Sequence, residues 1–504
     1  MKTKKFAVLL FTLILALGLF PMGVFAASIP VAQTSKASIT INNAVENDVL
    51  EAYKVVDITY DETSNNVSYA WNSSFADYFA QTNSVTNSAN QAYTVEQFAA
   101  LTADSDDLKN LLAGLPKYIA DKNIAVAKTA TVGEGGTATF ADLAMGEYFI
   151  RPSSTTSVYQ LMLQKIEPKV EEDSEGNPNY VIENVTFTAK KKEVTITKTA
   201  DKTSVTKNEK VVYTITVDIP TYADNTTDKS FYISDKFPDG LKLDPASIKV
   251  SSGGTDITAY TLDTTATADY TFKLSVSTNQ YTDSWTNKGG NKLVITYTAT
   301  LNDDTTTTVN VKENNTATFD YSFYPYDADS HNQKTVDYAV NTFAIKIDKY
   351  VAGSHATKLA DAKFDLYRTA TDAEIAAGVT ETIPHTTING IKLESDVVTN
   401  DSGVATFEKY EANGTKYDYY LVETQAPHGY NILAEAVKVN FTDDDVEATA
   451  GVYTVKVPNS SGIQLPITGG TGTVIFTVIG IALMGGAVVL FVLSKRKSKA
   501  KESK

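Results

Sequence analysis

Three residues in the last third of the chain have the types and positions for covalent chemistry without a cofactor. Lys346 lies between Ile345 and Ile347 in a strand-like run, Glu423 ends the apolar stretch YYLVE, and Asn459 closes VYTVKVPN. In a β-sandwich whose first and last strands are neighbours, the lysine and the asparagine meet beside the acid. Apolar burial depresses a lysine pKa, and an uncharged amine is a nucleophile. The same burial raises a carboxyl pKa, so Glu423 is expected to stay protonated and hydrogen-bond the Asn459 carbonyl. Attack by the amine then expels ammonia and leaves an amide joining the two strands. An ionised carboxylate is costly to bury alone, so an acid at the end of a core strand needs such a role.

Little else in the chain suggests reactivity. Cysteine is absent, and His331, His355, His385 and His428 are scattered without ligand spacing, which reads as surface or turn positions. No glycine-rich phosphate loop and no Ser/His/Asp arrangement is visible. No cofactor, no metal and no turnover enzyme is expected. The formal charge of −16 includes three lysines at the N-terminus and a basic C-terminal tail, so the segment between them is more acidic still. That balance argues against nucleic acid as a partner. Without disulfides, covalent reinforcement has to use other chemistry.

The elements that must position these residues are mostly strands. Alternating runs are rich in Thr, Val, Ile and Tyr, with 28 Tyr and 21 Phe in 504 residues. The fold class read from this is mainly β, as tandem immunoglobulin-like sandwiches. Residues 1–26 have the charged, apolar and small-residue parts of a secretory signal. Residues 27–192 read as a β-rich domain with a helical excursion at VEQFAALTADSDDLKNLLAGLPKYIADKN. Residues 193–341 read as a sandwich, and 342–460 as a second one with a short helix at TDAEIAAG. A stem over 461–470 leads to an apolar segment, 471–493, long enough to span a bilayer, and to a basic tail, 494–504. In the first block, Lys54 and Asn184 occupy an early and a last strand, with Glu147 the nearest acid.

LPITG (Leu465, Pro466, Ile467, Thr468, Gly469), followed by that helix and tail, resembles the sorting signal of Gram-positive surface proteins. The resemblance implies that a sortase cuts between Thr468 and Gly469 and passes the Thr468 carbonyl to an amine. LVETQAPHGY matches Leu-x-Glu-Thr-x-Ala-Pro-x-Gly-Tyr, the E-box of Gram-positive pilins and collagen-adhesin B-type domains. There the glutamate promotes a Lys–Asn isopeptide bond. IKIDKYVAGSHATKLADAKFDLY resembles the opening strand and Leu-Ala-Gly-Ala-x-Phe motif of those domains, with Asp361 in place of the glycine, which makes Lys349 a rival to Lys346.

The second block resembles the middle domain of pilus backbone subunits, where an aspartate acts as the acid. The resemblance implies Lys198 as nucleophile, Asp235 as acid and Asn315 as acceptor. Asn314 is one residue away on the opposite face, so register decides between them. It further implies that the polymerising lysine follows a proline. QKIEPKVEED places Lys169 there, at the start of a loop, with Lys190, Lys191 and Lys192 as competitors.

The function so implied is the shaft subunit of a sortase-assembled pilus on the Gram-positive cell wall. Its partners would be a class C and a housekeeping sortase, further copies of itself, minor and tip pilins, peptidoglycan and host matrix proteins. The alternative is a wall-anchored adhesin or a minor or basal pilin.

Overall fold

The computed structural model describes residues 29–461 apart from 31, 33, 81–90, 103–104, 155–156, 173–177, 221, 223–225, 282–291, 303–312, 328, 415 and 448–449, together with part of 480–491. The signal segment, the sorting signal and most of the apolar segment 471–493 lie outside the described residues. Among the described residues no helix is long and apolar enough to cross a membrane. The chain divides into two compact units. One takes residues up to 203 with 208–305 and 313–340, and the other takes 204–207 and the chain from 341 onward.

In the first unit, residues up to 188 build three sheets. The largest has five strands, in the order Asn66–Trp71, Val49–Asp61, Gly146–Ser154, Met162–Ile166, with Lys128–Thr131 also paired to Val49–Asp61. The expected helical excursion resolves into three short helices, Val95–Ala99, Asp106–Ala113 and Leu115–Lys122. Local chemistry accounts for their ends. Thr94 and Gln97 form a capping box, Ser105 caps the second helix, and Asn123 closes the third in the left-handed region (φ 49°).

Residues 196–340 of the same unit form two five-stranded sheets. In Lys210–Asp218 the residues Val211, Tyr213, Ile215 and Val217 are fully buried, and Leu293, Ile295, Tyr297 and Ala299 of Lys292–Leu301 face them in register. Period-two alternation therefore turns one face of this sheet inward. The second sheet, which contains Phe231–Lys236 and Glu313–Ser322, packs against it through aromatic contacts such as Phe272 on Tyr297 (centroids 5.1 Å apart).

His331 departs from the surface or turn reading. It opens the strand His331–Val340, only partly exposed, and lies between two buried carboxylates, Asp228 (2.7 Å) and Asp320 (2.6 Å). Hydrogen bonds to both carboxylates push its pKa from 6.5 up to about 9. A raised folded-state pKa makes the cation a stabilising feature. Its contribution is fully present below pH 6.5 and is lost as pH rises through about 9. Denaturant midpoints measured at pH 6 and pH 10 are expected to differ more for the native chain than for His331→Gln; equal differences would refute the clamp.

In the second unit the strand Phe343–Val351 lies between Val404–Tyr410, antiparallel, and Val452–Asn459, parallel. The first and last strands of this sandwich are thus neighbours. A second sheet runs in the order Glu381–Thr382, Asn389–Val398, Lys363–Thr369, Tyr419–Gln425, Val437–Val439. Ile345, Ile347, Phe364, Leu366, Phe407, Leu421 and Val457 share the core between them. Asp361 has φ 63°, the left-handed conformation that explains the glycine of the motif it departs from.

Candidate functional site

In the second unit, Lys349, Glu423 and Asn459 meet in the core, none more than 2% exposed. The Lys349 ammonium donates to Oδ1 of Asn459 and lies 3.1 Å from Oε1 of Glu423. Nδ2 of Asn459 donates to both Glu423 oxygens (2.9 and 3.0 Å) and to the Asn431 carbonyl (2.9 Å). The Leu433 backbone N–H fixes Glu423 Oε2 at 2.8 Å. Burial lowers the Lys349 pKa and outweighs the opposing pull of Glu423. Gly403 (φ 71°) lets its chain pass close to this lysine, since a Cβ there would lie 2.2 Å from the Lys349 carbonyl oxygen. The cluster holds an amine, an amide and an acid whose oxygens touch the lysine and amide nitrogens rather than the amide carbonyl.

Lys346 is not part of this cluster, which corrects the expectation for the nucleophile. It is half-buried on the opposite face of the strand and pairs with Thr454, five positions before Asn459. Lys349 pairs with Val457, two residues from Asn459, so lysine and asparagine are diagonal neighbours on the core face. The signal was already in the strand's period. Ile345, Ile347 and Lys349 are in phase, whereas a residue between two core isoleucines must point away.

The first unit carries a second cluster. Lys198 Nζ lies 2.6 Å from Asp235 Oδ2, and both side chains are fully buried. Burial drives the two pKa values toward each other, Lys198 down to about 8 and Asp235 up to about 6. Both shifts make transfer of the proton from the lysine to the acid less costly than between the free side chains. Asp235 pairs with Ala317, which puts Asn315 diagonally beside it on the same core face, while Asn314 is exposed on the other. Register thus selects Asn315. Tyr297, which the sequence reading did not single out, stands between the acid and the amide. Its hydroxyl donates to Asp235 Oδ2 (2.7 Å) and accepts from Asn315 Nδ2 (2.9 Å). Its only sequence signal is a tyrosine in phase with Ile295 and Ala299 on a core face.

Residues 344–454 match the family described as SpaA, prealbumin-like fold domain, and residues 457–499 match the LPXTG cell wall anchor motif. The chain therefore carries the sortase signal for covalent attachment to the cell wall. A fimbrial subunit type 1 from Actinomyces viscosus is 31% identical over 163 residues, which is 29% of this chain and only 30% of that relative. The T6 backbone pilin of serotype M6 Streptococcus pyogenes, described as a modular three-domain structure, superimposes with a TM-score of 0.57 at 16% identity. It covers 86% of this chain and 100% of its own. The full-length major pilin SpaD from Corynebacterium diphtheriae gives 0.53 at 16% identity, covering 86% and 99%.

The chain has the fold of Gram-positive backbone pilins.

Within this pilin fold the first-block trio does not assemble. Lys54 pairs with Asp57 (2.8 Å), and the exposed Asn184 accepts from the Ser38 backbone (2.8 Å). Glu147 is buried opposite Lys165, its pKa raised by burial to about 7. Lys169 begins a strand, Lys169–Glu172, rather than a loop. That strand is at the edge of its sheet, and the side chain is 59% exposed beside Glu183. Lys191 is less accessible (13% exposed) in a strand paired with Ser157–Tyr159, while Lys192 is exposed.

Proposed function

We propose that this chain is the shaft subunit of a covalently polymerised, wall-anchored pilus. Its sandwiches, in a modular arrangement over 27–192, 193–341 and 342–460, are welded by self-catalysed Lys–Asn bonds. The observation that carries the reading is the buried cluster of Lys349, Glu423 and Asn459 joining the first and last strands of the domain nearest the anchor. Its chemistry balances without a cofactor. Glu423 takes a proton from Lys349, and the freed amine attacks Cγ of Asn459. Glu423 then returns a proton to Nδ2, which its oxygens already touch. Ammonia leaves, the attacking nitrogen gives up its extra proton to the carboxylate, and one amide remains. Lys198, Asp235 and Asn315 carry out the same condensation in the middle block. Each is a single event within one molecule, so the protein is not a turnover enzyme.

Polymerisation uses the other end of the chemistry. A pilus-type sortase cleaves between Thr468 and Gly469 and transfers the Thr468 carbonyl to Lys169 of another copy. An exposed primary amine on an edge strand suits a reaction that needs access for an enzyme. A housekeeping sortase would attach the finished fibre to peptidoglycan, and minor and tip pilins would share the same acceptor chemistry.

Immunoblots of wall extracts are expected to show a ladder of high-mass species that Lys169→Arg abolishes. A single monomer-sized band in the native strain would refute polymerisation. A ladder that persists in Lys169→Arg and disappears when Lys190, Lys191 and Lys192 are replaced would move the acceptor to that boundary.

A further inference from the structure

We propose that the Tyr297 hydroxyl is the proton relay of the middle condensation, carrying the acid's reach across to the leaving nitrogen. The inference rests on the isopeptide reading of this cluster and adds a fourth residue to it. The two clusters differ in one respect. In the second unit the glutamate oxygens touch Asn459 Nδ2 directly, at 2.9 and 3.0 Å. In the first unit the acid is an aspartate, one methylene shorter. Among the described contacts, Asp235 reaches Asn315 only through the Tyr297 hydroxyl. The other oxygen of Asp235 and Oδ1 of Asn315 are buried without hydrogen-bond partners. A tyrosine used only for packing would not need its hydroxyl held between two reacting groups in a dry core.

The geometry assigns the proton path. Asp235 Oδ2 takes a proton from Lys198, and the neutral amine bonds to Cγ of Asn315. As the bond from Cγ to Nδ2 breaks, the Tyr297 O–H gives its proton to the departing nitrogen and is reprotonated by Asp235. The attacking nitrogen loses its extra proton to the Asp235 carboxylate and ammonia leaves; tyrosine ends as it began, and Asp235 ends protonated, holding the surplus proton that the lysine ammonium brought in. Burial and the neighbouring carboxylate hold the Tyr297 pKa well above its ordinary value. The exchange is therefore concerted and passes through no free tyrosinate. The ring also lies against Tyr213, Phe237 and Phe272, so Tyr297→Phe keeps the packing and removes only the relay.

The test is the intact mass of the secreted ectodomain, followed with time after expression. The native chain is expected to lack two ammonia equivalents. Tyr297→Phe is expected to retain one of them, with tandem mass spectrometry placing unjoined Lys198 and Asn315 in the product while Lys349 and Asn459 stay joined. In the double variant Tyr297→Phe, Asp235→Glu, the longer acid reaches Asn315 directly and the second loss returns. Full condensation in Tyr297→Phe would overturn the relay. So would failure of the double variant to recover while its circular dichroism matches the native chain, since that leaves the hydroxyl a structural role. A native chain that never joins Lys198 to Asn315 would instead sink the isopeptide reading of this cluster, which separates the two failures.

Discussion

Lys349→Arg is expected to restore one ammonia equivalent to the ectodomain mass, after allowance for the substitution itself, whereas Lys346→Arg leaves the mass deficit intact. The two lysines are three residues apart in one strand, so composition and charge are equal in the variants and only the face differs. Lys349 is fully buried beside Glu423 and Asn459, and burial favours its neutral, nucleophilic form. Lys346 looks away from all of these. Arginine keeps a positive charge but stays protonated in proteins, so it cannot serve as the amine. Glu423→Gln should behave like Lys349→Arg, because an amide accepts no proton from the lysine. Peptide mapping that finds Lys346 joined to Asn459 would contradict the register on which the assignment rests. An unmodified native mass would remove the bond altogether.

The second large effect is mechanical. Pulled by its ends, the native second sandwich is expected to show no unfolding step for residues 350–458, because tension passes from Lys349 to Asn459 through the new amide. In Glu423→Gln the same pull must be borne by the parallel ladder of Phe343–Val351 on Val452–Asn459. Once that ladder parts, the 110-residue span between the two residues is released, a gain of roughly 360 Å at full extension. At equilibrium the bond closes a loop of that size. In the chain-entropy model this removes about 4–5 kcal/mol of unfolded-state freedom. Glu423→Gln should lose at least that much in denaturant titration, with an added cost from a buried lysine stripped of its carboxylate. A release step of that length in the native protein would show that the strands are not welded.

What was legible in the sequence follows from local rules. The strand period marked the core faces, and with it Glu423 at the end of YYLVE and Asn459 at the end of the last strand. The same period distinguishes Asn315 from Asn314 and Lys349 from Lys346. Both choices turn on phase alone, and the position between Ile345 and Ile347 is the one that faces away from the core. Lys169 was legible as exposed, but not as part of a strand, because an acidic run such as KVEE has no apolar face to betray an edge hairpin.

Tyr297 could not have been found this way. Its hydroxyl lies where it does because two paired strands of one sheet set Asp235 and Asn315 side by side and Tyr297 reaches them from the facing sheet. Nor could the sequence exclude the Lys54, Glu147 and Asn184 grouping, which fails because each finds a nearer partner or a different face.

Alone, the sequence determined strand phase, the C-terminal anchor and the supply of amines, acids and amides, since side-chain alternation and segment hydrophobicity are properties of neighbouring residues. Tertiary structure decided which of those groups touch and how dry their meeting place is, because pairing register and sheet-on-sheet packing depend on residues from 18 to 110 positions apart.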